Sequence, residues 1–235
     1  MRPIAIFDID GTIFRSSLTI ELLKRLVADK IFEPEIMSKV RRSEEKWLNR
    51  KGHYDDYINE VWQAYQRAIV GKKKSQIVAA SQRVIQDQKY RTYRYTKQLL
   101  FDVRQHFHTI GISGSPLEVV KEYNKFLRLN KLYGWEFGLD EKGRYTSVVL
   151  HAPTQYKKEL IVRYVQNHGL SFKGSIGVGD TETDVGFLEL VEKPICFNPN
   201  SVLARIARKR NWTIVIERKD LAIDFKPKKV KILNV

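Results

Sequence analysis

The chain has 235 residues, 43% of them hydrophobic and 11% aromatic, enough to bury a core as one domain or as a domain with an insertion. Its 42 Lys+Arg against 27 Asp+Glu leave a charge of +15, a field that favours anionic ligands and nonspecific contact with nucleic acid or acidic membranes without choosing among them. A single cysteine, Cys196, excludes an intrachain disulfide and a cysteine metal cluster, and no apolar run approaches the roughly 18 residues of a membrane span. With Asp8 and Asp10 so close to the N-terminus a cleaved signal peptide is not expected, and a reducing, cytoplasmic setting is.

Ile4-Ala5-Ile6-Phe7 is a continuous apolar run that suits a strand buried on both faces of a parallel sheet, and it leads straight into Asp8-Ile9-Asp10-Gly11-Thr12. A long helical stretch follows, with apolar stripes at Leu22, Leu23, Leu26 and Val27, at Tyr54, Tyr57, Ile58, Val61, Trp62 and Tyr65, and at Ile77, Val78, Val84 and Ile85. Pro34 and Gly71 punctuate it. This is too much helix for one crossover. It predicts a helical insertion over residues 15–92, with a core of 1–14 plus 93–235 and Tyr95 to Phe107 as the returning crossover helix.

Further along, Thr109 to Ile112 leads into Ser113-Gly114-Ser115-Pro116, Ser175 to Val178 into Gly179-Asp180, and Pro194 to Phe197 into Asn198-Pro199-Asn200. Each is followed by a helical stripe, the alternation expected of an α/β protein with a Rossmann-like parallel sheet flanked by helices. Asp140-Glu141-Lys142-Gly143 marks a small inserted hairpin between Trp135 and Val149. Thr213 to Ile216 reads as a last strand, and the basic tail from Lys219 as loosely patterned.

Taken singly, the polar groups at these strand ends have plain explanations. A D-x-D-G run is ordinary turn chemistry, and Ser113 suits a turn or cap. Lys157 suits a solvated helix start. Asp180 and Asp184, four apart, suit a helix cap and a solvated acid, or two acids on one face if the helix starts at once. Two acids at the carboxyl end of a buried strand, however, need a cation or hydrogen bonds.

In chain order the four groups resemble the motifs of the haloacid dehalogenase superfamily of phosphohydrolases. The first looks like Asp8 to Thr12, the second Ser113 with Gly114, the third Lys157, and the fourth Gly179-Asp180 through Asp184. The helical insertion after the first motif and the Ser-Gly-Ser-Pro turn look like subfamily IB, the phosphoserine-phosphatase-like branch with a helical C1-type cap. The resemblance implies Asp8 as nucleophile, forming an aspartyl-phosphate, and Asp10 as general acid and base. It implies Mg²⁺ held by the Asp8 carboxylate, the Asp10 backbone carbonyl and the Asp180 carboxylate. Asp184 would hold a metal-bound water or orient Lys157, which offsets charge, while Ser113 and Gly114 hold phosphoryl oxygens.

The implied function is a Mg²⁺-dependent phosphomonoester hydrolase acting on a small phosphorylated substrate. Phosphoserine phosphatases place a glutamate where Ser17 stands; Val61 falls near their substrate-binding arginine, with Arg67 as a substitute, and Arg15 lies over the site. Strict phosphoserine specificity is therefore not implied. Two other readings stay open: a phosphotransferase or mutase of the same fold, and a basic nucleic-acid or membrane-binding module with an incidental catalytic remnant. The clusters Arg41-Arg42, Arg50-Lys51, Lys72 to Lys74, Arg208 to Arg210 and Lys226 to Lys231 would give weak, nonspecific polyanion binding. Trp47, Tyr54 and Trp62 have helical spacing and read as packing residues rather than base-stacking platforms.

Overall fold

The computed structural model describes residues 1–226 and places them in an α/β fold built on one eight-stranded sheet. β1 (Pro3–Asp8), β2 (His108–Pro116), β3 (Lys131–Leu139), β5 (Ser171–Gly179), β6 (Lys193–Phe197) and β7 (Thr213–Arg218) run parallel, in the spatial order β3-β2-β1-β5-β6-β7. Antiparallel strands β4 (Tyr145–His151) and β8 (Leu221–Phe225) close the two edges. Alternate residues of β1 point into two separate cores. Ala5 and Phe7 pack with the helices on one face, Ile4 and Ile6 with Ile161, Leu203 and Ile214 on the other. A strand wrapped on both faces has no polar positions to alternate with, which is why its sequence is a continuous apolar run.

The helices α1 (Leu18–Ala28), α2 (Met37–Leu48), α3 (Tyr54–Ile69) and α4 (Lys74–Gln88) lie between β1 and β2, followed by the crossover helix α5 (Arg94–Val103). The segment is pinned at two places. Phe14 bridges to Thr92 where the chain leaves and re-enters the sheet. At the far end, Gly71 N–H donates to Tyr145 O at 2.8 Å and Lys74 N–H to Gly143 O at 3.0 Å, tying the α3–α4 turn to the turn between β3 and β4. α2 shows no apolar stripe in sequence because it buries only Met37 and Val40. Trp47 near its end stacks on Tyr57, with ring centroids 5.9 Å apart and planes at 13°.

Two expectations change. The hairpin near Trp135 to Val149 is not a separate insertion: β3 is itself a parallel strand, pairing Ile110 with Lys131 and Ile112 with Tyr133, and only its second half pairs with β4. The described part of the tail, from Lys219 to Lys226, is also more ordered than expected. Arg218 and Leu221 pair across a tight turn in which Lys219 takes a φ of 56°, and β8 continues to Phe225. The basic run expected at Lys226 to Lys231 lies, beyond Lys226, outside the described residues. Among the described residues no helix is long and apolar enough to cross a membrane.

The remaining helices of note are α6 (Leu117–Leu127) after β2, α7 (Lys157–Asn167) before β5, a four-residue α8 (Val185–Leu188) and α9 (Ser201–Arg210). Cys196 on β6 is fully buried, and burial pushes its thiol up to about 12. Alkylation with iodoacetamide at neutral pH should therefore leave the native chain unmodified and label it fully in denaturant; rapid labelling of the native chain would contradict this packing.

Candidate active site

Register brings the site together. β1 sets Asp8 opposite Ile112 of β2, one residue before Ser113, and sets Phe7 opposite Val178 of β5, two before Asp180. The chain leaves β1 towards β2 on one side and β5 lies on the other, so the carboxyl end of β1 is the switch point where open α/β sheets carry their sites.

Lys157, the first residue of α7, is buried and its Nζ donates to Asp8 Oδ1 at 2.9 Å and to Asp184 Oδ1 at 2.5 Å. One buried ammonium thus faces two buried carboxylates. Burial pushes the Asp8 carboxyl up to about 8, opposed by Lys157 and reinforced by the charges of Asp184 and Asp10. Asp180 is raised well above the usual carboxylate range by burial and then by Asp8 and Asp184. Thr12 Oγ1 donates to Asp180 Oδ1 at 3.2 Å.

Asp184 does not sit in the first turn of a helix that starts at once. A 3₁₀ turn, Glu182–Asp184, intervenes before α8, and Asp184 Oδ2 accepts from the backbone N–H of Asp180 at 3.0 Å and Thr181 at 3.1 Å. The acid folds back beneath the strand end instead of pointing along the helix face. A Cβ at Gly179 would lie 2.5 Å from the Asp184 side chain, so only glycine admits it. Gly11 is constrained likewise: its φ is 85° and a Cβ there would sit 2.1 Å from Asp180 Oδ2.

Asp10 is held differently. Its Oδ1 accepts from Leu18 N–H at 2.7 Å and Ser115 Oγ at 2.8 Å, and its Oδ2 accepts from Ser113 Oγ. Burial still raises its pKa, against the lowering effect of these three donors. Ser113, expected to face a phosphoryl group, is fully buried, takes a hydrogen bond from Ser115 N–H at 3.0 Å and passes one to Asp10. Gly114 lines the open space.

That space is a cavity of about 480 Å³ between the sheet edge and the inserted helices. Asp8, Asp10, Gly114, Lys157 and Asp180 form its floor, and α3 forms its opposite wall. Ser17 lines it and caps α1, its Oγ accepting from Thr19 N–H at 3.2 Å. Val61 lines it too, whereas Arg67 is exposed on α3 and Arg15 stands over the Tyr93 ring at 5.4 Å. Of the residues that sequence reasoning missed, Ser115 had a signal, since it lies two positions after Ser113 on the same strand face. Trp135 and Thr154, joined by an indole hydrogen bond of 3.1 Å, had none.

Ligand atoms of Asp8, Asp180 and Asp184 lie within 4.8 Å of one another. Three hard oxygen donors with one lysine between them fit a divalent cation of the Mg²⁺ type, which takes few carboxylates and keeps water.

The family model described as haloacid dehalogenase-like hydrolase matches residues 5–189. The chain is 24% identical over 228 residues to the inhibition of morphological differentiation protein of Streptomyces azureus, covering 91% of this chain and 78% of that one. Among solved structures, a protein of unknown function from Bordetella pertussis Tohama I aligns with a TM-score of 0.73 at 17% identity, over 92% of this chain and 99% of that one. A substrate-bound phosphoserine phosphatase complex aligns with a TM-score of 0.62 at 14% identity, over 94% and 95%. At these identities the structural matches speak for the fold.

Proposed function

The chain belongs to the haloacid dehalogenase-like hydrolase family, and on that premise we propose that it is a Mg²⁺-dependent phosphomonoester hydrolase acting through an aspartyl-phosphate. The observation that carries this reading is the division of labour between the two acids of one turn. Asp8 is gripped by a buried lysine at the cavity floor, while Asp10, two residues on, is fixed by three hydrogen-bond donors, with burial raising its pKa against them.

Asp8 attacks phosphorus in line, and the bond from phosphorus to the ester oxygen breaks. Asp10 gives its proton to the departing alkoxide. It then takes a proton from the water that attacks the phosphorus of the aspartyl-phosphate, and the bond from phosphorus to Asp8 breaks. Lys157 balances charge as phosphoryl oxygens approach Asp8, and the Gly114 backbone supplies a donor at the cavity edge. When bound by Asp8, Asp180 and Asp184 or water they hold, Mg²⁺ supplies electrostatic stabilisation of the transferring phosphoryl group. Residues 15–92 act as a cap over a core of 1–14 plus 93–235, shielding the intermediate from bulk water.

Phosphate release across a panel of phosphomonoesters, aryl phosphates included, tests the reading. Release with Mg²⁺ and its loss on chelation are expected; no release from any member would overturn it. Asp10→Asn should slow turnover of alkyl phosphates by roughly 10²–10⁴-fold and of aryl phosphates by much less, because phenolate leaves without a proton. Equal losses on both would remove Asp10 from the role of acid. Asp180→Ala should raise the Mg²⁺ concentration needed for half-maximal rate by about tenfold or more, losing one of few direct carboxylates. An unchanged metal titration would confine Asp180 to shaping the turn.

A further inference from the structure

The wall of the cavity opposite the catalytic floor has a chemical character of its own. Trp62 on α3 and Trp135 on β3 meet edge to face with centroids 4.5 Å apart, and both line the cavity. Tyr54, one turn from Ile58 on the same helix, continues this surface. Two carboxylates stand at the mouth: Asp55 from α3 and Glu182 from the turn after β5, one from each side of the opening. Their mutual repulsion contributes to raising the Asp55 carboxyl, after burial.

Cations are scarce here in a chain of +15. Among the described residues that line the cavity, Lys157 is the one lysine or arginine, and Asp8 and Asp184 already engage it. A leaving group carrying a carboxylate or a second phosphate would be desolvated against tryptophan and carboxylates with no counter-charge. An ammonium group meets the opposite situation: aromatic faces that attract cations, and two acids whose repulsion it relieves.

Resting on the hydrolase reading above, we propose that the substrate is a phosphorylated amino alcohol without a carboxylate, its ammonium group received between Trp62, Trp135 and Asp55. Phosphocholine is the probe. Its uncharged carbon isostere, neohexyl phosphate, has the same shape, and O-phosphoserine adds the carboxylate. With Mg²⁺ and the full chain, kcat/KM for phosphocholine should exceed that for either comparison by about tenfold, the scale of a desolvated cation–π contact with a nearby charge. Asp55→Asn and Trp62→Leu should each shrink the ratio of phosphocholine to neohexyl phosphate by about threefold or more. Parity between phosphocholine and its isostere, or a preference for O-phosphoserine, would overturn the proposal. p-Nitrophenyl phosphate separates the two levels. If it is hydrolysed without any charge preference among the other three, the ammonium site alone falls. If it and the other three all resist hydrolysis, the hydrolase reading falls and takes the ammonium site with it.

Discussion

Asp8→Asn is expected to lower turnover by at least about a thousandfold while the chain folds and melts much as its parent does. The amide has nearly the same shape but no lone pair of comparable nucleophilicity, so the covalent step is lost rather than slowed. The fold should tolerate the change for reasons visible at the site. Burial already disfavours the charged form of the Asp8 carboxyl, holding it up at about 8, so an uncharged group of the same shape should be tolerated there. Lys157 keeps its 2.5 Å contact with Asp184 and is not left as an unpaired buried charge. Phosphate release, intact-mass detection of a phosphorylated chain after acid quench, and a thermal melt check the three parts separately. Residual turnover within about tenfold of the parent would mean that Asp8 is not the nucleophile.

Which strands form the sheet was legible because a strand covered on both faces is largely apolar, and Ile4 to Phe7, Ile110 to Ile112 and Ile176 to Val178 carry only apolar residues and glycine. β3 escaped that logic. Its first residues, Lys131 and Leu132, are only half-buried, so the segment resembles a hairpin arm until its pairing with β2 is seen. β8 escaped it too, because four of its five residues are exposed and its order comes from backbone pairing with β7. Neither backbone pairing nor register leaves a mark in hydropathy.

At the site, the residue types and their order along the chain were readable, but not what each side chain faces. Ser113 reads in sequence as a phosphoryl contact, but its hydrogen bond to Asp10, a half-buried acid that collects donors from the neighbouring strand, leaves no mark there. Asp184 looked like one of a helical pair with Asp180; the intervening 3₁₀ turn rotates it beneath the strand end, where it shares Lys157 with Asp8. The cavity wall was least legible. Trp62 lies on a helical stripe and Trp135 on a strand more than seventy residues later, and only the docking of α3 over β3 places them against each other.

Lys157→Met should be the most damaging change to stability. The substitution keeps most of the side chain's length and removes the single positive charge between two buried carboxylates, leaving Asp8 and Asp184 to repel each other without compensation. Breaking a buried pair by deleting one partner costs about 3–5 kcal/mol, a large share of the stability of an ordinary domain. The cost has a sign with pH. Lys157 lowers the Asp8 carboxyl that burial raises, so without it Asp8 holds its proton in the folded chain to a higher pH than in the parent, and the variant falls further behind as pH rises through that range. Urea melts in chelator should therefore show a gap between variant and parent that widens as pH rises past about 8, where Asp8 ionises in the folded parent but not yet in the variant. Adding Asp8→Asn to Lys157→Met should recover part of the loss, since one of the two stranded charges is then gone; strictly additive losses would mean that Lys157 and Asp8 do not interact. A pH-independent gap would assign the destabilisation to packing of the lysine stem instead of its charge.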